Sequence, residues 1–536
     1  MLEKEFYQFI NNYEKKVIEL SRELNLSNFN ATISGKPEDY KKTAELELKI
    51  KKIFSNKEDF EKIKNFKNSH EIKDEVNQRE IEVLYNTYAE FQIDEKLLEE
   101  IVALSNKIEE KFATYRAEIN GKKLTDNEID KILETSKDSK ELEETWKASK
   151  QIGELVNKDV IELVKLRNKA AKSLGYKNHR EMSLKLNELE PEFLDNLFDE
   201  LDKLTREKFF SLKDKIDNYL SEHYSITKDE LMPWHYQDKF FQQGPSIYNL
   251  DLDKYFENKN IEKLTDDYYS GIGLEIKDML AKSDLYEKDG KYQHAYCTQI
   301  DKAGDVRVLC NIKPNYKWMG TMLHEFGHAV YDKYVSNKLP WALREHAHIF
   351  TTEAIAMLFG RFASNPHWLK EMLNISDDEK NIISQKSFKI LQLEQIIFSR
   401  WVQVIYRFEK AMFENPEQDL NSLWLNLVEK YQGLKKPEGR DKPDWASKIH
   451  IALYPVYYQN YMLGELLASQ LYFYIKEKVL KDNSEEVKSF VGEKKVGEYL
   501  INLFFSYGAL LKWDKLIKKS TGEELNAEYW IKQFVK

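Results

Sequence analysis

Apolar residues recur every three or four positions along most of this 536-residue chain, with few turn signals between the runs. Glycine (19 residues) and proline (11 residues) are both scarce, so little interrupts the pattern. One such run places apolar side chains on one face at Val160, Leu163, Val164, Ala170, Ala171 and Leu174, and Gly175 follows as a stop. Because this period matches the 3.6 residues of a helical turn, the pattern predicts a mainly α fold.

Two segments depart from the helical period. Residues 291–312 hold two short runs of β-forming residues around the polar stretch DKAGD, and this arrangement predicts a β-hairpin. Residues 21–35 (SRELNLSNFNATISG) are rich in Ser and Asn, which predicts a loop between helices. No internal repeat and no Ser/Gly/Pro-rich linker divides the chain, so residues 1–536 are expected to form a single domain.

Composition and charge exclude several classes of protein. Apolar residues make up 42 % of the chain and aromatic residues 13 %, which is enough for a large core and argues against disorder. Lys and Arg total 82 against 92 for Asp and Glu, a net charge of −10. This acidic balance argues against nucleic acid or an anionic membrane as the main partner.

The location is predicted from the opening of the chain and from its cysteines. The segment MLEKEFYQFINNYEKKVIEL lacks a basic start followed by an apolar run, and no apolar stretch reaches the length of a membrane span, so neither a signal peptide nor a span is expected. The chain has two cysteines, Cys297 and Cys310, placed nearly symmetrically in the predicted hairpin, where they are expected to face each other. So few cysteines are typical of a soluble cytoplasmic protein with free thiols.

The strongest chemical signal is HEFGH, in which His324 and His328 bracket Glu325. Apolar residues around it recur at helical spacing, and positions four apart lie about 40° apart around a helix. Both imidazoles can therefore reach one ion, and zinc accepts imidazole nitrogens while leaving a position open for water. Glu325 would then act as a general base. The alternative is a charged surface helix that happens to contain two histidines.

A third ligand is predicted downstream. Glu353 follows His328 by 25 residues and is surrounded by apolar positions in TTEAIAMLF. A carboxylate on the buried side of a helix needs a partner, because an isolated buried charge is costly, and zinc would supply that partner. The alternative is an exposed helix acid.

The segment HEFGHAVYDKYVSNKLPWALREHAHIFTTEAIAM resembles the zinc region of the angiotensin-converting enzyme family and of its thimet-oligopeptidase-like and oligoendopeptidase-like relatives. The family's LP, LRE and EAI elements appear here at 339–340, 343–345 and 353–355, with one more residue between His328 and Glu353. The resemblance implies that His324, His328 and Glu353 bind one zinc ion per chain and that Glu325 is the catalytic base.

The resemblance extends to both sides of this region. His294 and Ala295 match residues that grip the substrate backbone. Near the C-terminus, Lys448 and His450 match the family's Lys-x-His, and Tyr458 and Tyr461 match its Tyr-x-x-Tyr. By resemblance, His450 and Tyr461 stabilise the oxyanion, whereas Lys448 and Tyr458 hold the terminal carboxylate of the peptide. Aromatic core packing is the alternative for these tyrosines. Gln237 is a further candidate contact, on a looser match.

Several positions depart from the family pattern. Asn460 stands in place of an arginine that binds chloride, which argues against chloride activation. Met357 stands in place of an aspartate that supports a zinc histidine. His346 and His348 replace small or polar residues, and they are read either as hydrogen-bonded loop residues or as support for the metal.

The resemblance implies an elongated, two-lobed helical body around a deep substrate channel. The hairpin at 291–312 would form an edge at the active site, residues 313–360 would carry the zinc-binding helices, and residues 1–125 would form a lid that admits short peptides. The predicted function is a monomeric zinc metallopeptidase that releases C-terminal dipeptides. An endo-acting oligopeptidase and a catalytically inactive helical peptide-binding protein are the alternatives.

Overall fold

The computed structural model describes residues 2–69, 71–248, 250–484 and 486–536, and it confirms the mainly α fold. The helices before the zinc-region segment are α1 (Leu2–Ser34), α2 (Pro37–Phe54), α3 (Lys57–Asn68), α4 (Glu75–Glu90), α5 (Glu95–Thr114), α6 (Asp126–Thr135), α7 (Ser139–Ser173), α8 (His179–Leu186), α9 (Pro191–Tyr224), α10 (Asp253–Phe256), α11 (Ile261–Gly271) and α12 (Lys277–Leu280). The later helices are α13 (Tyr316–Tyr334), α14 (Ile349–Gly360), α15 (Pro366–Leu373), α16 (Asp377–Glu414), α17 (Leu420–Gln432), α18 (Ile449–Leu453), α19 (Gln459–Tyr474), α20 (Lys494–Leu503), α21 (Trp513–Thr521) and α22 (Glu528–Phe534).

Two antiparallel hairpins interrupt the helices within the described ranges. Their strands are β1 (Ala117–Ile119), β2 (Lys122–Leu124), β3 (Tyr296–Gln299) and β4 (Val306–Leu309). The first hairpin was not expected, although Asn120 and Gly121 between its strands both have positive φ, as a two-residue type I′ turn requires. The sequence Asn-Gly is the local signal that could have revealed it.

The second hairpin lies within the predicted segment 291–312. Its register places Val308 opposite Cys297, while Cys310 lies just beyond the end of β4. The expectation that the two cysteines face each other is therefore wrong. The paired strands are symmetric about the midpoint between Lys302 and Ala303 rather than about AGD at 303–305, so Cys310 lies two residues beyond the partner of Cys297. Both cysteines are free thiols.

The prediction of a loop at residues 21–35 is also wrong, since α1 continues to Ser34. Phe29 is buried against Ile300 and Leu309 of the hairpin region. The hydroxyl groups of Ser27 and Thr43 are hydrogen bonded at 2.9 Å, which ties α1 to α2. These long-range contacts stabilise a helix that the local Ser and Asn content disfavours.

The described chain forms two compact units. The first comprises Met1–Gln92, Leu250–Ser387 and Leu463–Tyr529. One of its cores joins α1, α3 and α4 to the segment that follows α13, through the buried residues Phe6, Phe9, Tyr13, Ile63, Phe66, Leu84 and Trp341. This unit carries HEFGH, Glu353 and the second hairpin.

The second unit comprises Ile93–Asn249, Phe388–Met462 and Trp530–Lys536. Its core contains an aromatic cluster in which the Trp424 ring lies 5.9 Å from Trp401 and 5.2 Å from Phe408. The boundary at Gln92 divides the predicted lid, residues 1–125, between the two units, and its role as a lid stays a prediction. None of the helices in the described ranges is both long enough and apolar enough to span a membrane.

Candidate active site

Helix α13 carries HEFGH and begins where the sequence indicates. The side chain of Asn315 accepts a hydrogen bond from the backbone N–H of Trp318 at 2.9 Å and so caps the helix. Its apolar face is fully buried at Met319, Met322, Leu323, Phe326 and Val330. Burial of this stripe fixes the rotation of the helix and directs the two histidines to a common side.

Helix α14 carries Glu353 and is apolar on almost all sides, as expected of a fully packed helix. Its first turn is capped by His348, whose Nδ1 accepts from the N–H of Phe350 at 3.1 Å. The two helices pack in close contact at Gly327. A Cβ atom built there would lie 2.7 Å from the Cα of Ala356.

This close approach brings the three predicted ligands together. The Nε2 atoms of His324 and His328 lie 3.8 Å and 3.9 Å from Oε2 of Glu353, and one ligand atom from each residue lies within 4.8 Å of the others. It is the one group of three or more His, Cys, Asp or Glu residues with this geometry among the described residues. Two imidazoles and a carboxylate form the donor set of a catalytic zinc site.

The electrostatics of the cluster fit a cation. Burial lowers the pKa of His324 to about 4 and that of His328 well below its ordinary value, so both rings stay neutral, which is the form that binds a metal. Burial raises the pKa of Glu353 to about 7. Among the described residues, the groups within ion-pair distance of Glu353 are the two histidines, which are neutral. A divalent cation would therefore supply the charged partner that Glu353 lacks.

Glu325 lies between α13 and the edge of β3. It is 8 % exposed, and its carboxylate accepts a hydrogen bond from the backbone N–H of Cys297. Burial and the nearby Glu353 raise the pKa of Glu325 to about 8. A carboxyl group held this way, next to a cation site, is positioned to exchange protons with a bound reactant.

The residues predicted to grip a peptide backbone directly precede this strand. His294 is exposed and Ala295 is half-buried. Among the described residues, β3 pairs with β4 alone, so its other edge has no strand partner. An extended peptide can pair with a free strand edge.

A residue not expected from the sequence joins the site on α14. Oγ1 of Thr352 lies 2.8 Å from Nδ1 of His328. The sequence signal for Thr352 was its position directly before Glu353. A polar residue next to a metal ligand can reach the helix that carries the other ligands.

The other two histidines of this region have different partners. Nδ1 of His346 lies 3.6 Å from Oδ1 of Asp332. Burial lowers the pKa of His346, but Asp332 and Glu345 together raise it above its ordinary value. His348 caps α14, as a hydrogen-bonded loop residue would. Met357 places its sulfur against Gly464.

The second unit gathers the predicted residues near the C-terminus. Nζ of Lys448 donates to Oε1 of Gln242 at 2.7 Å and lies 5.4–5.5 Å from the ring centres of Phe240, Trp401 and Tyr458. Lys448 is 9 % exposed, and burial lowers its pKa to about 8. It lines a cleft of about 1250 Å³. Gln237 lines the same cleft, but the glutamine that contacts Lys448 is Gln242.

His450, Tyr458 and Tyr461 form an aromatic cluster next to this lysine. The ring of Tyr458 lies 5.1 Å from His450 and 5.3 Å from Tyr461. Tyr458 is buried, and its hydroxyl accepts from Nε1 of Trp401 at 2.8 Å. Burial and the neighbouring Lys448 lower the pKa of His450 to about 4, so its imidazole is neutral at physiological pH.

A helical fold with an HExxH helix and a downstream glutamate is typical of the metallopeptidase class. The chain belongs to the angiotensin-converting enzyme family (peptidase M2), whose sequence profile matches residues 2–535. Membership in this family confirms the resemblance seen in the motifs.

Individual relatives are distant. The chain is 28 % identical to carboxypeptidase 1 of Bacillus subtilis (strain 168) over 263 residues, which cover 44 % of this chain and 51 % of that one. It is 24 % identical to angiotensin-converting enzyme of Mesocricetus auratus over 357 residues, covering 60 % and 27 %. It is 25 % identical to oligopeptidase PepF of Bacillus subtilis (strain 168) over 350 residues, covering 62 % and 48 %. The chain thus spans about half or less of the length of these relatives.

Proposed function

We propose that the protein hydrolyses short peptides with one zinc ion per chain, held by His324, His328 and Glu353. One observation carries this proposal: Nε2 of both histidines lies within 4 Å of the Glu353 carboxylate, on two buried helices. Zinc bound there would polarise a peptide carbonyl and lower the pKa of water. Zinc-dependent family members support the choice of metal.

Glu325 is proposed as the general base and acid. It follows His324 directly on α13, and the Cys297 N–H holds its carboxylate. In this role Glu325 takes a proton from the attacking water and delivers it to the leaving amine. The edge of β3 that has no strand partner among the described residues, together with His294 and Ala295, would align the substrate backbone.

We propose His450 and Tyr461 as donors to the oxyanion that develops during attack. Nδ1 of His450 is buried and has no hydrogen-bond partner among the described residues, so a proton on Nε2 avoids burying an N–H group without an acceptor. A neutral Nε2–H and a phenol O–H are suitable donors, and loss of one such donor typically costs about 10²–10³ in rate. The motif match assigns these roles.

Lys448 is proposed to anchor the terminal carboxylate of the substrate, with Tyr458 beside it. Its ammonium group uses one N–H on Gln242, and the surrounding rings exclude water from the charge. A charge-assisted bond in such a pocket fixes the position of the substrate's C-terminus and thereby selects the peptide bond that is cut. Release of C-terminal dipeptides follows from this role. A cytoplasmic location and a monomeric state stay predictions.

The test combines metal analysis with product mapping. Purified protein loaded with zinc should retain about one ion per chain. Matched peptides with free and with amidated C-termini are then digested, and the products are identified by mass spectrometry. Dipeptides released from the free-acid peptides alone support the proposal. Equal cleavage of both sets at internal bonds would establish the endo-oligopeptidase alternative, and zinc binding without cleavage would establish a peptide-binding protein.

A further inference from the structure

The two histidines of HEFGH are held differently. Nδ1 of His328 lies 2.8 Å from Oγ1 of Thr352, which is 4 % exposed. The ring of His324 makes no hydrogen bond within the described chain, and Gly360 lies against it without a side chain. The orientation of His328 is therefore set by a specific polar contact, whereas that of His324 is set by packing.

The direction of the Thr352 contact depends on the tautomer of His328. If the threonine hydroxyl donated to Nδ1, the ring proton would sit on Nε2 and block the lone pair that faces Glu353. If Nδ1–H donates to the threonine oxygen, the Nε2 lone pair is available for a cation. Metal ligation through Nε2 thus requires Thr352 to accept this hydrogen bond.

The neighbouring threonine shows that this contact is not a general property of the helix start. The hydroxyl of Thr351 donates to the carbonyl of His348 at 2.6 Å and so stabilises the first turn of α14. Thr352 faces the other helix instead, because the close approach at Gly327 brings α13 within reach. Two adjacent buried threonines therefore have separate roles, one within α14 and one between helices.

We propose that Thr352 is a positioning residue for the metal. Its hydroxyl holds His328 in the Nδ1–H tautomer and directs Nε2 toward Glu353, the next residue of the same helix. One turn of α14 thereby supplies a ligand and orients a second one for a divalent cation that accepts imidazole, such as zinc. This inference rests on the proposed function, because it concerns the same metal site.

The test measures metal affinity rather than activity. Thr352→Val replaces the hydroxyl by a methyl group of similar size, Thr352→Ser keeps the hydroxyl, and Thr351→Val is the matched control on the next residue. The zinc dissociation constant is determined by competition with a fluorescent chelator, and Tm of the metal-free protein is recorded alongside. Removal of such a supporting contact typically weakens metal binding by about 10–100-fold.

We expect Thr352→Val to weaken zinc binding to this extent and Thr352→Ser to bind close to wild type. Thr351→Val should lower Tm while leaving the zinc affinity close to that of the wild type. Should Thr352→Val fail to fold, Thr352→Ala and ¹⁵N-histidine NMR of the metal-free wild type replace it, with the Nδ1–H tautomer of His328 as the expected signal. Wild-type affinity in the valine or alanine variant, or the Nε2–H tautomer, would overturn the role of Thr352. Absence of zinc binding by the wild type would instead refute the proposed function.

Discussion

Gly327 lies so close to Ala356 that a Cβ atom at position 327 would sit 2.7 Å from the Cα of Ala356. This contact joins the helix that carries both histidines to the helix that carries Glu353. Since backbone atoms cannot yield as a flexible side chain does, the distance between the candidate ligands depends on the absence of a side chain at this position.

Gly327→Ala should therefore separate the two helices. An alanine favours an isolated helix by about 1 kcal/mol, but overpacking against a backbone typically costs about 1–3 kcal/mol. We expect a lower Tm and weaker zinc binding. Gly320→Ala, on the same helix, is the matched control, because its Cβ would make ordinary contacts at 3.7 Å or more. Its Tm should be unchanged or higher. Equal behaviour of the two variants would contradict the close approach as the reason for this glycine.

Glu325→Gln should keep the metal and lose turnover. The amide cannot accept the proton of the attacking water, whereas His324, His328 and Glu353 are untouched. We expect a fall of about 10²–10⁴ in kcat with an unchanged zinc content. Glu154→Gln, at an exposed position of the second unit, is the control and should retain full activity. Substantial activity in Glu325→Gln would show that another group is the base.

Lys448→Ala should impair cleavage of peptides with a free C-terminal carboxylate more than cleavage of amidated peptides. A hydrogen bond to a charged group contributes about 1.5–3 kcal/mol, so kcat/KM for free-acid peptides should fall by about 10–100-fold. Amidated peptides should change little. Lys442→Ala, six residues earlier and paired with Glu154 at 2.7 Å, is the control. An equal effect on both sets of peptides would remove the anchoring role of Lys448.

The pH dependence follows from the pKa of Lys448, which burial lowers to about 8. Below this value the side chain is an ammonium ion and binds a carboxylate, whereas above it the amine is neutral. KM for free-acid peptides should therefore rise as the pH increases from 7 to 9. The comparison with amidated peptides over the same range isolates this effect, and a parallel rise for both sets would assign it to another group.

The two cysteines should react slowly in the folded protein. Burial raises the pKa of Cys297 well above its ordinary value and that of Cys310 in the same direction, so the nucleophilic thiolate is scarce near neutral pH. We expect titration with a chromogenic disulfide reagent to detect two thiols after denaturation and fewer, more slowly, before it. Absence of free thiol in the denatured, unreduced protein would show that Cys297 and Cys310 form a disulfide.

Much of the site could be predicted because its signals are local. The i, i+4 spacing of His324 and His328 places both rings on one side of any helix, and Asn315 caps that helix through its own backbone neighbours. The helical period of the apolar residues likewise predicted the mainly α fold. In these cases the residues that determine the structure lie within one or two turns of each other.

One error arises where distant parts of the chain meet. Residues 21–35 have the composition of a loop, but Phe29 packs against Ile300 and Leu309, and this burial outweighs the weak local preference. The hairpin at 291–312 was recognised, yet the pairing of Cys297 with Val308 depends on the loop between the strands. The Asn120–Gly121 turn did have a local signal, but it was overlooked because the sequence on both sides follows a helical pattern.

The sequence by itself determined most of the helices, the candidate metal-binding residue types and the family resemblance. The tertiary structure alone decided which polar side chains assist them. Thr352 bonds His328 because α13 and α14 touch at Gly327, and Gln242 rather than Gln237 bonds Lys448 because of the path of the loop that carries both glutamines. Such pairs depend on the packing of separate segments, where distances of a few tenths of an ångström decide whether a hydrogen bond forms.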